Sequence, residues 1–464
     1  MLLINPVGQK SGYLLSKVST FSPLGLAYVA AVTPDTWDVS LMDENFTPFS
    51  YREADLVAIS AFTSSINRAY EIAAIYRGKG TPVVIGGIHA SMWTDEVKKY
   101  ADSVVVGEVE SVWADVLSDF EKGALKKAYA AGRVCLVSSH VKPRREILNP
   151  DYFWNSIQTS RGCPFDCTFC SVSRYLGTEY RQRTAEDVLD ELAEMEGKYV
   201  AFMDDNLIGY SPESRERAKT IFHGMIDRKL KKRWWMQTSI NAVEDEECLK
   251  LAAKSGCMFA FVGFESVNSD VLKELKKGVN LKIGTENYKK TIRTFHKYGI
   301  AVMGGFILGI DHESESYYNE FARYLFRSGI DVCQISLLTP LPGTQLYEKM
   351  EKEGRLFYTN FPEDWDKYRL SRIVHHLEGV TEEEVYAGDN LIKRRIYSPL
   401  LLAIRMIRSF FSLWNFPTFF SVYKFNKALK RSWKKSYYYQ YFSGRLNRQE
   451  EHNAEKKILN GEPQ

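Results

Sequence analysis

Along the first ~140 residues, short apolar runs alternate with stretches whose apolar positions recur at helical spacing. Leu2–Ile4, Val39–Met42, Leu56–Ser60, Val83–Ile85 and Val104–Val106 read as strands. Leu24–Ala31, Ile66–Tyr76 and Thr94–Tyr100 read as helices between them, a βα alternation that predicts a parallel sheet. The strands run out into small or turn-forming residues: Ser60, then Gly86-Gly87, then Gly107-Glu108. These residues either turn the chain or line a ligand site at the carboxyl edge of the sheet, where open α/β sheets bind their ligands.

A second βα series begins near Ser156. Its strands are expected at Ile157–Ser160, Tyr199–Met203, Trp234–Ile240, Met258–Phe264, Ala301–Leu308 and Asp331–Leu338. The helices between them are expected at Ala185–Met195, Ser214–Arg228, Glu246–Lys254, Gly284–Tyr298 and Glu315–Ser328. Six units predict a partial (βα)6 barrel of the TIM type, with its working face at the strand ends. The fold class is therefore α/β: a Rossmann-like parallel-sheet domain over 1–145, a partial barrel over 150–345, a helical region over 346–448 and a disordered tail over 449–464.

Composition adds an asymmetry. The segment from Lys393 to Gln449 holds 13 Lys or Arg and no Asp or Glu, leaving 48 of the 61 basic residues against all 58 acidic ones elsewhere. Within it, Leu401, Ile404, Ile407 and Phe411 recur at helical spacing, and Trp414, Phe416, Phe419 and Phe420 follow. Arg405, Arg408, Pro417 and Lys424 interrupt the apolar run, so it is not a clean transmembrane span. An aromatic and basic amphipathic segment suits a membrane surface, at which rings settle among headgroups and cations meet anionic lipid. The alternative is a helical cap packed on the barrel.

Seven cysteines are too few for a disulfide framework, and three of them fall within eight residues. That clustering predicts metal binding in a reducing compartment. The N-terminus lacks the basic n-region and long apolar run of a signal peptide, so the expected location is the cytoplasm, at most peripheral to the inner face of the membrane.

The chemistry concentrates in Arg161-Gly-Cys-Pro-Phe-Asp-Cys-Thr-Phe-Cys170, on the loop after the first barrel strand. Thiolates at Cys163, Cys167 and Cys170 suit an iron–sulfur cluster, and three ligands leave one iron open to a small molecule. Zinc would need a fourth ligand, and no partnering CxxC pair occurs. Asp204, Asp205 and Asn206 end the second barrel strand, and Gln237, Ser239 and Glu265 stand at corresponding edges of the next two. They are candidate cofactor contacts, though strand-end acids also serve as helix caps.

The CxxxCxxC loop, with Phe169 before the last cysteine, resembles that of the radical S-adenosylmethionine (SAM) superfamily. The resemblance implies a 4Fe–4S cluster on Cys163, Cys167 and Cys170, with SAM on the open iron cleaved reductively to a 5′-deoxyadenosyl radical. Gly304-Gly305-Phe-Ile-Leu-Gly309 is similar to the superfamily's GxIxG stretch, which implies backbone approach to adenine at Gly305 and Gly309. The N-terminal runs around Ser60, Gly86-Gly87-Ile-His89 and Gly107-Glu108 are similar to the cobalamin-binding domain of cobalamin-dependent members, such as hopanoid methylases and the anaerobic magnesium-protoporphyrin cyclase. The DxHxxG motif that supplies a cobalt ligand elsewhere is absent, and Asn5-Pro-Val-Gly8 occupies its place.

What the resemblance implies is cobalamin-dependent methylation of a hydrophobic lipid or isoprenoid, with a reductant such as flavodoxin or ferredoxin. The alternative is cobalamin-independent cyclisation or C–C bond chemistry on a lipid or tetrapyrrole. Nucleic-acid modification is disfavoured because no RNA-binding module accompanies the basic tail. An electron carrier or redox sensor leaves the acidic and glycine-rich strand ends unexplained.

Overall fold

A computed structural model describes residues 1–8, 21–137 and 141–444. Six strands form the N-terminal sheet: β1 (Leu2–Asn5), β2 (Ser40–Asp43), β3 (Val57–Ser60), β4 (Val83–Gly86), β5 (Ser103–Val106) and β6 (Ala128–Ala130). All are parallel, in the order β2-β1-β3-β4-β5-β6. The strands are apolar on both faces because helices cover both. Ile4, Val57, Ile59 and Ile85 pack on one side with Ile72 and Tyr76, while Leu3, Ala58 and Val84 pack on the other with Leu26 and Trp113.

In the second unit, β7 (Asn155–Ile157) is followed by an antiparallel pair, β8 (Ser160–Arg161) and β9 (Arg181–Gln182). Then come β10 (Tyr199–Phe202), β11 (Arg233–Thr238), β12 (Cys257–Glu265), β13 (Ala301–Leu308) and β14 (Val332–Leu337). The barrel sheet is parallel, in the order β14-β13-β12-β11-β10-β7, and β14 and β7 remain its edges, so the six-unit barrel is open as expected.

One expected strand broke. Ile157–Ser160 divides into β7 and β8 because the buried Asp204 carboxylate accepts from the Thr159 N–H at 3.1 Å and the Ser160 hydroxyl at 2.5 Å. Those groups leave the ladder, and the chain turns into the cysteine loop.

The region after β14 serves both units. Trp365, Tyr368 and Val374 pack into the N-terminal core, and the Trp365 indole donates to Glu96 at 3.1 Å. The helices Glu382–Ile396, Pro399–Leu413 and Phe416–Lys435 then return to the barrel. The expected disordered tail, 449–464, lies outside the described residues. Among the described residues no single helix is long and apolar enough to cross a membrane; one bent pair, Glu382–Ile396 with Pro399–Leu413, passes by length and composition together.

Candidate active site between two sheet edges

The cysteine loop is pinned at several points. The Cys163 N–H donates to Gly177 at 3.1 Å, Thr168 to Leu275 at 3.2 Å, and Leu346, just beyond β14, to Thr168 at 2.9 Å. Gly162, at φ +88°, lets the backbone turn directly before Cys163, where a β-carbon would collide with the Glu179 carbonyl. Cys163 and Cys170 are half-buried and Cys167 is buried. Burial pushes their thiols up, Cys163 to about 11 and Cys170 to about 12, and Asp205 adds to the rise while Lys277 opposes it.

The Cys170 N–H donates to the Cys167 carbonyl at 3.1 Å, so these two cysteines share one tight turn of the loop. Among the described residues no three acidic, histidine or cysteine side chains converge on a single-ion site. A cubane held by three thiolates leaves one iron open, whereas structural zinc requires a fourth ligand that the loop's three cysteines do not supply. The donor set therefore fits a 4Fe–4S cluster with one iron free.

The strand-end residues divide by role. Asp204 is fully buried and spent on Thr159 and Ser160, holding the start of the cysteine loop. The Asn206 side-chain oxygen accepts from the Thr238 hydroxyl at 3.2 Å and the Ser239 N–H at 3.3 Å. Asp205 alone of the three is half-buried and within the field of Cys163 and Cys170. Burial and the neighbouring Asp204 raise its carboxyl to about 7. Gln237 and Ser239 are half-buried on alternate positions along β11 and just past its end.

Glu265 closes β12 in a left-handed conformation, φ +60°, an uncommon state for a residue with a side chain. Its carboxylate pairs with Lys277 at 2.7 Å. Burial opposes the Lys277 charge, but Glu265 and the sulfurs of Cys167 and Cys170 more than offset it. Lys277 was not evident from sequence. It lies on a turn between two short helices, where no periodicity marks it.

Three of the expected contacts have protein neighbours of their own. The space beside Gly305 holds the Phe261 ring, 2.8 Å from where a β-carbon would stand. Gly309, at φ +79°, faces Ile373, and its N–H donates to Glu313 at 3.0 Å. Glu108, expected at a cofactor, is committed to protein. It accepts from Arg161 at 2.8 Å, from both terminal nitrogens of Arg181, and from the Val134 N–H at 3.1 Å. Arg161 also reaches Glu110 at 2.5 Å.

This knot joins the two units. Arg161 immediately precedes Gly162-Cys163, and Glu108 and Glu110 follow β5. The Tyr175 hydroxyl, just past the cysteines, donates to the Gly107 carbonyl at 3.4 Å, and Gly343 beyond β14 abuts Met92. The carboxyl edges of both sheets therefore face each other.

On the N-terminal edge, Ser60 is half-buried, and Gly87 (φ +97°) and Gly107 (φ +92°) make left-handed turns. At Gly86 the nearest neighbours of the missing β-carbon are the Val105 Cβ and carbonyl oxygen, both at 3.7 Å. Asn5 and Val7 lead into the loop after β1 and bond to Asp43 and Glu44 at 2.8 and 2.9 Å. No histidine occurs in residues 1–20 to reach a cobalt ion from that loop. His89 is fully buried, with Nδ1 3.2 Å from Thr63 and its ring against Trp365 at 5.1 Å, so it is a structural residue.

Residues 157–325 match the Radical SAM superfamily, and residues 11–117 match the B12 binding domain. The chain is 33% identical over 432 residues to bacteriochlorophyllide d C-12(1)-methyltransferase of Chlorobaculum tepidum, covering 86% of this chain and 90% of that one. It is 28% identical to hopanoid C-2 methylase of Rhodopseudomonas palustris, over 75% and 68% of the two chains. The radical SAM methyltransferase TsrM from Kitasatospora setae, solved with cobalamin and a [4Fe–4S] cluster, superposes with a TM-score of 0.67 at 16% identity, over 94% of this chain and 99% of that one.

Proposed function

The chain belongs to the radical SAM superfamily, in the branch that carries a B12-binding domain, and from that premise we propose that it methylates carbon on a chlorophyll-type tetrapyrrole. The observation that carries the reading is the apposition of the two sheet edges, with three cysteines on one and the glycine turns at Gly87 and Gly107 on the other. When bound, the cluster and SAM supply a carbon-centred radical and cobalamin supplies a transferable methyl group.

Cys163, Cys167 and Cys170 hold three iron corners in this reading. Asp205 receives the ammonium group of SAM, and Gln237 and Ser239 offer polar contacts to its ribose. The Glu265–Lys277 pair keeps a fixed cation beside the sulfurs, favouring the thiolate form that iron requires. The apposed edges exclude water from the gap, which protects a radical from quenching. The enzyme also needs a one-electron reductant of the flavodoxin or ferredoxin kind.

The relative at 33% identity puts a tetrapyrrole ahead of a lipid. A polycyclic lipid is the second reading, supported by the hopanoid methylase likeness. Peripheral membrane contact through the basic, aromatic C-terminal helices belongs to the same proposal. The test is anaerobic reconstitution with iron, sulfide and cobalamin. SAM, reductant and either a bacteriochlorophyllide or a hopanoid are then added, with 5′-deoxyadenosine and methylated product read by mass spectrometry. Methylation of the tetrapyrrole supports the proposal; radical formation with methylation of the hopanoid alone replaces it with the lipid reading.

A further inference from the structure

The last two long helices leave an apolar stripe exposed while burying several polar groups. Pro399–Leu413 exposes Leu400, Ile404, Ile407, Phe411 and Trp414, spaced four, three, four and three residues apart on one face. Leu400 is 70% exposed and Trp414, at the turn into the next helix, 81%. The opposite, buried face carries Arg405 and Ser409 along with Leu413. Arg405 donates to the Asp331 carbonyl at 3.1 Å, and Ser409 to the Asp331 carboxylate at 2.6 Å. Phe416–Lys435 buries Thr418 and Asn426 beside Val422 and Trp433, and leaves Phe416 70%, Phe420 47% and Tyr423 45% exposed. A helix that only capped the barrel would bury the apolar stripe and expose the polar one.

On the second helix the exposed stripe changes character along its length. Phe416, Phe420 and Tyr423 lead into Lys427, Arg431 and Lys434 at the same three- and four-residue spacing. The Lys424 ammonium lies 4.8 Å from the Phe420 ring centroid, so cations and rings share one surface. With no Asp or Glu between 393 and 449, nothing on this segment neutralises them. The occupant must be apolar where Ile407, Phe411 and Trp414 meet it and anionic beside Lys427 and Arg431. A second copy of the hairpin meeting this stripe in parallel would set cation against cation.

We propose that the Pro399–Lys435 hairpin is a docking surface for an anionic lipid bilayer, with its aromatic residues among the headgroups and its second half held by lipid phosphate. This deepens the surface-contact part of the reading above and rests on it. It also fixes an orientation. Leu413 and Val422 pack with Phe259, Ala301 and Val332, at or near the starts of their strands, so the hairpin covers the strand-start end of the barrel. Cys163, Cys167 and Cys170 lie at the other end, a strand length of about 25 Å away at ~3.3 Å per residue. The docked enzyme therefore holds its mouth away from the bilayer, and the membrane serves as an anchor, not as the substrate's doorway.

The test is co-sedimentation of the anaerobically purified full chain with vesicles of phosphatidylglycerol and phosphatidylcholine, and with phosphatidylcholine alone, at low and high salt. The proposal expects binding to the anionic vesicles that weakens with salt, and at least a tenfold loss of affinity in Lys427→Glu/Arg431→Glu and in Ile407→Ser/Phe411→Ser. The charge variant alters only exposed side chains and guards against misfolding in the other. Wild-type protein left in the supernatant, equal binding to neutral vesicles, or variants that bind as wild type would each overturn it. So would a wild-type dimer that Ile407→Ser/Phe411→Ser converts to monomer. Production of 5′-deoxyadenosine by the same samples separates this result from the enzymatic reading: binding without radical formation sinks only the latter, and radical formation without binding only the former.

Discussion

Glu108 offers the sharpest test of how the two units are held together. Its side chain is 4% exposed and faces two guanidinium groups. Burial pushes its carboxyl up, but the hydrogen bonds from Arg181 and Arg161 outweigh this and hold it below the usual range. Replacing it in Glu108→Gln keeps the shape, removes the charge and turns an N–H₂ toward a donor. Breaking one side of a buried ion pair costs about 3–5 kcal/mol, because the partner stays buried and unpaired. An unfolding entropy of ~2.1 cal/mol/K per residue over 464 residues gives ~1 kcal/mol/K, so a single cooperative unit would lose about 3–5 °C in Tm.

If the N-terminal unit melts alone, the same energy acts on about a third of the chain and the shift is correspondingly larger. Scanning fluorimetry at neutral pH, with and without cobalamin, measures it. A change of Tm within about 1 °C would refute the reasoning, since the clamp would then contribute no more than an exposed pair. Because the folded carboxyl lies below its unfolded value, this stabilisation is present above the unfolded pKa and is lost as pH falls through the folded one. The Glu108→Gln penalty should therefore shrink in acid.

Cys167→Ala should remove the cluster's visible absorbance and reduce 5′-deoxyadenosine to background, while circular dichroism stays that of wild type; product above background would remove Cys167 from the ligand set. His375 is 1% exposed, and burial together with Arg355 lowers it to about 4. Its protonation favours the unfolded chain, so stability should fall by about 3 kcal/mol as pH drops from 6.5 to 4. Urea midpoints across that range should show the slope, and His375→Gln should flatten it. Gly388 sits in a helix, where alanine ordinarily stabilises by up to ~1 kcal/mol. Here a β-carbon would stand inside the buried ring of Tyr318, so Gly388→Ala should instead destabilise by about 1–3 kcal/mol, read as a lower urea midpoint.

The parallel strands could be read because both faces are covered, leaving continuous apolar runs such as Val83–Ile85 that no loop imitates. The cysteines were legible because their spacing is itself the chemistry. What pattern could not yield was the division of labour at one strand end. Asp204, Asp205 and Asn206 are adjacent and equally polar, yet Asp204 is spent on Thr159 and Ser160 and Asn206 on Thr238 and Ser239, which leaves Asp205 at the mouth. The partners that decide this lie some 30 to 45 positions away and act through geometry alone.

Glu108 carries the same lesson. At the edge of a ligand-binding sheet an acid reads as a ligand contact, and only Arg161 and Arg181, from another unit, reveal it as a clamp. The C-terminal helices reverse the difficulty. Their apolar spacing was plain, but spacing says only that one face differs from the other. Which face turns inward was decided by Asp331 at the start of β14, whose carbonyl and carboxylate draw in Arg405, Ser409 and Asn426 and so leave the apolar stripe outside. Asp331 thus ties polar residues of both helices inward through its carbonyl, while its carboxylate is met by Ser409, by His296 at 2.8 Å and by the Val302 N–H at 2.8 Å.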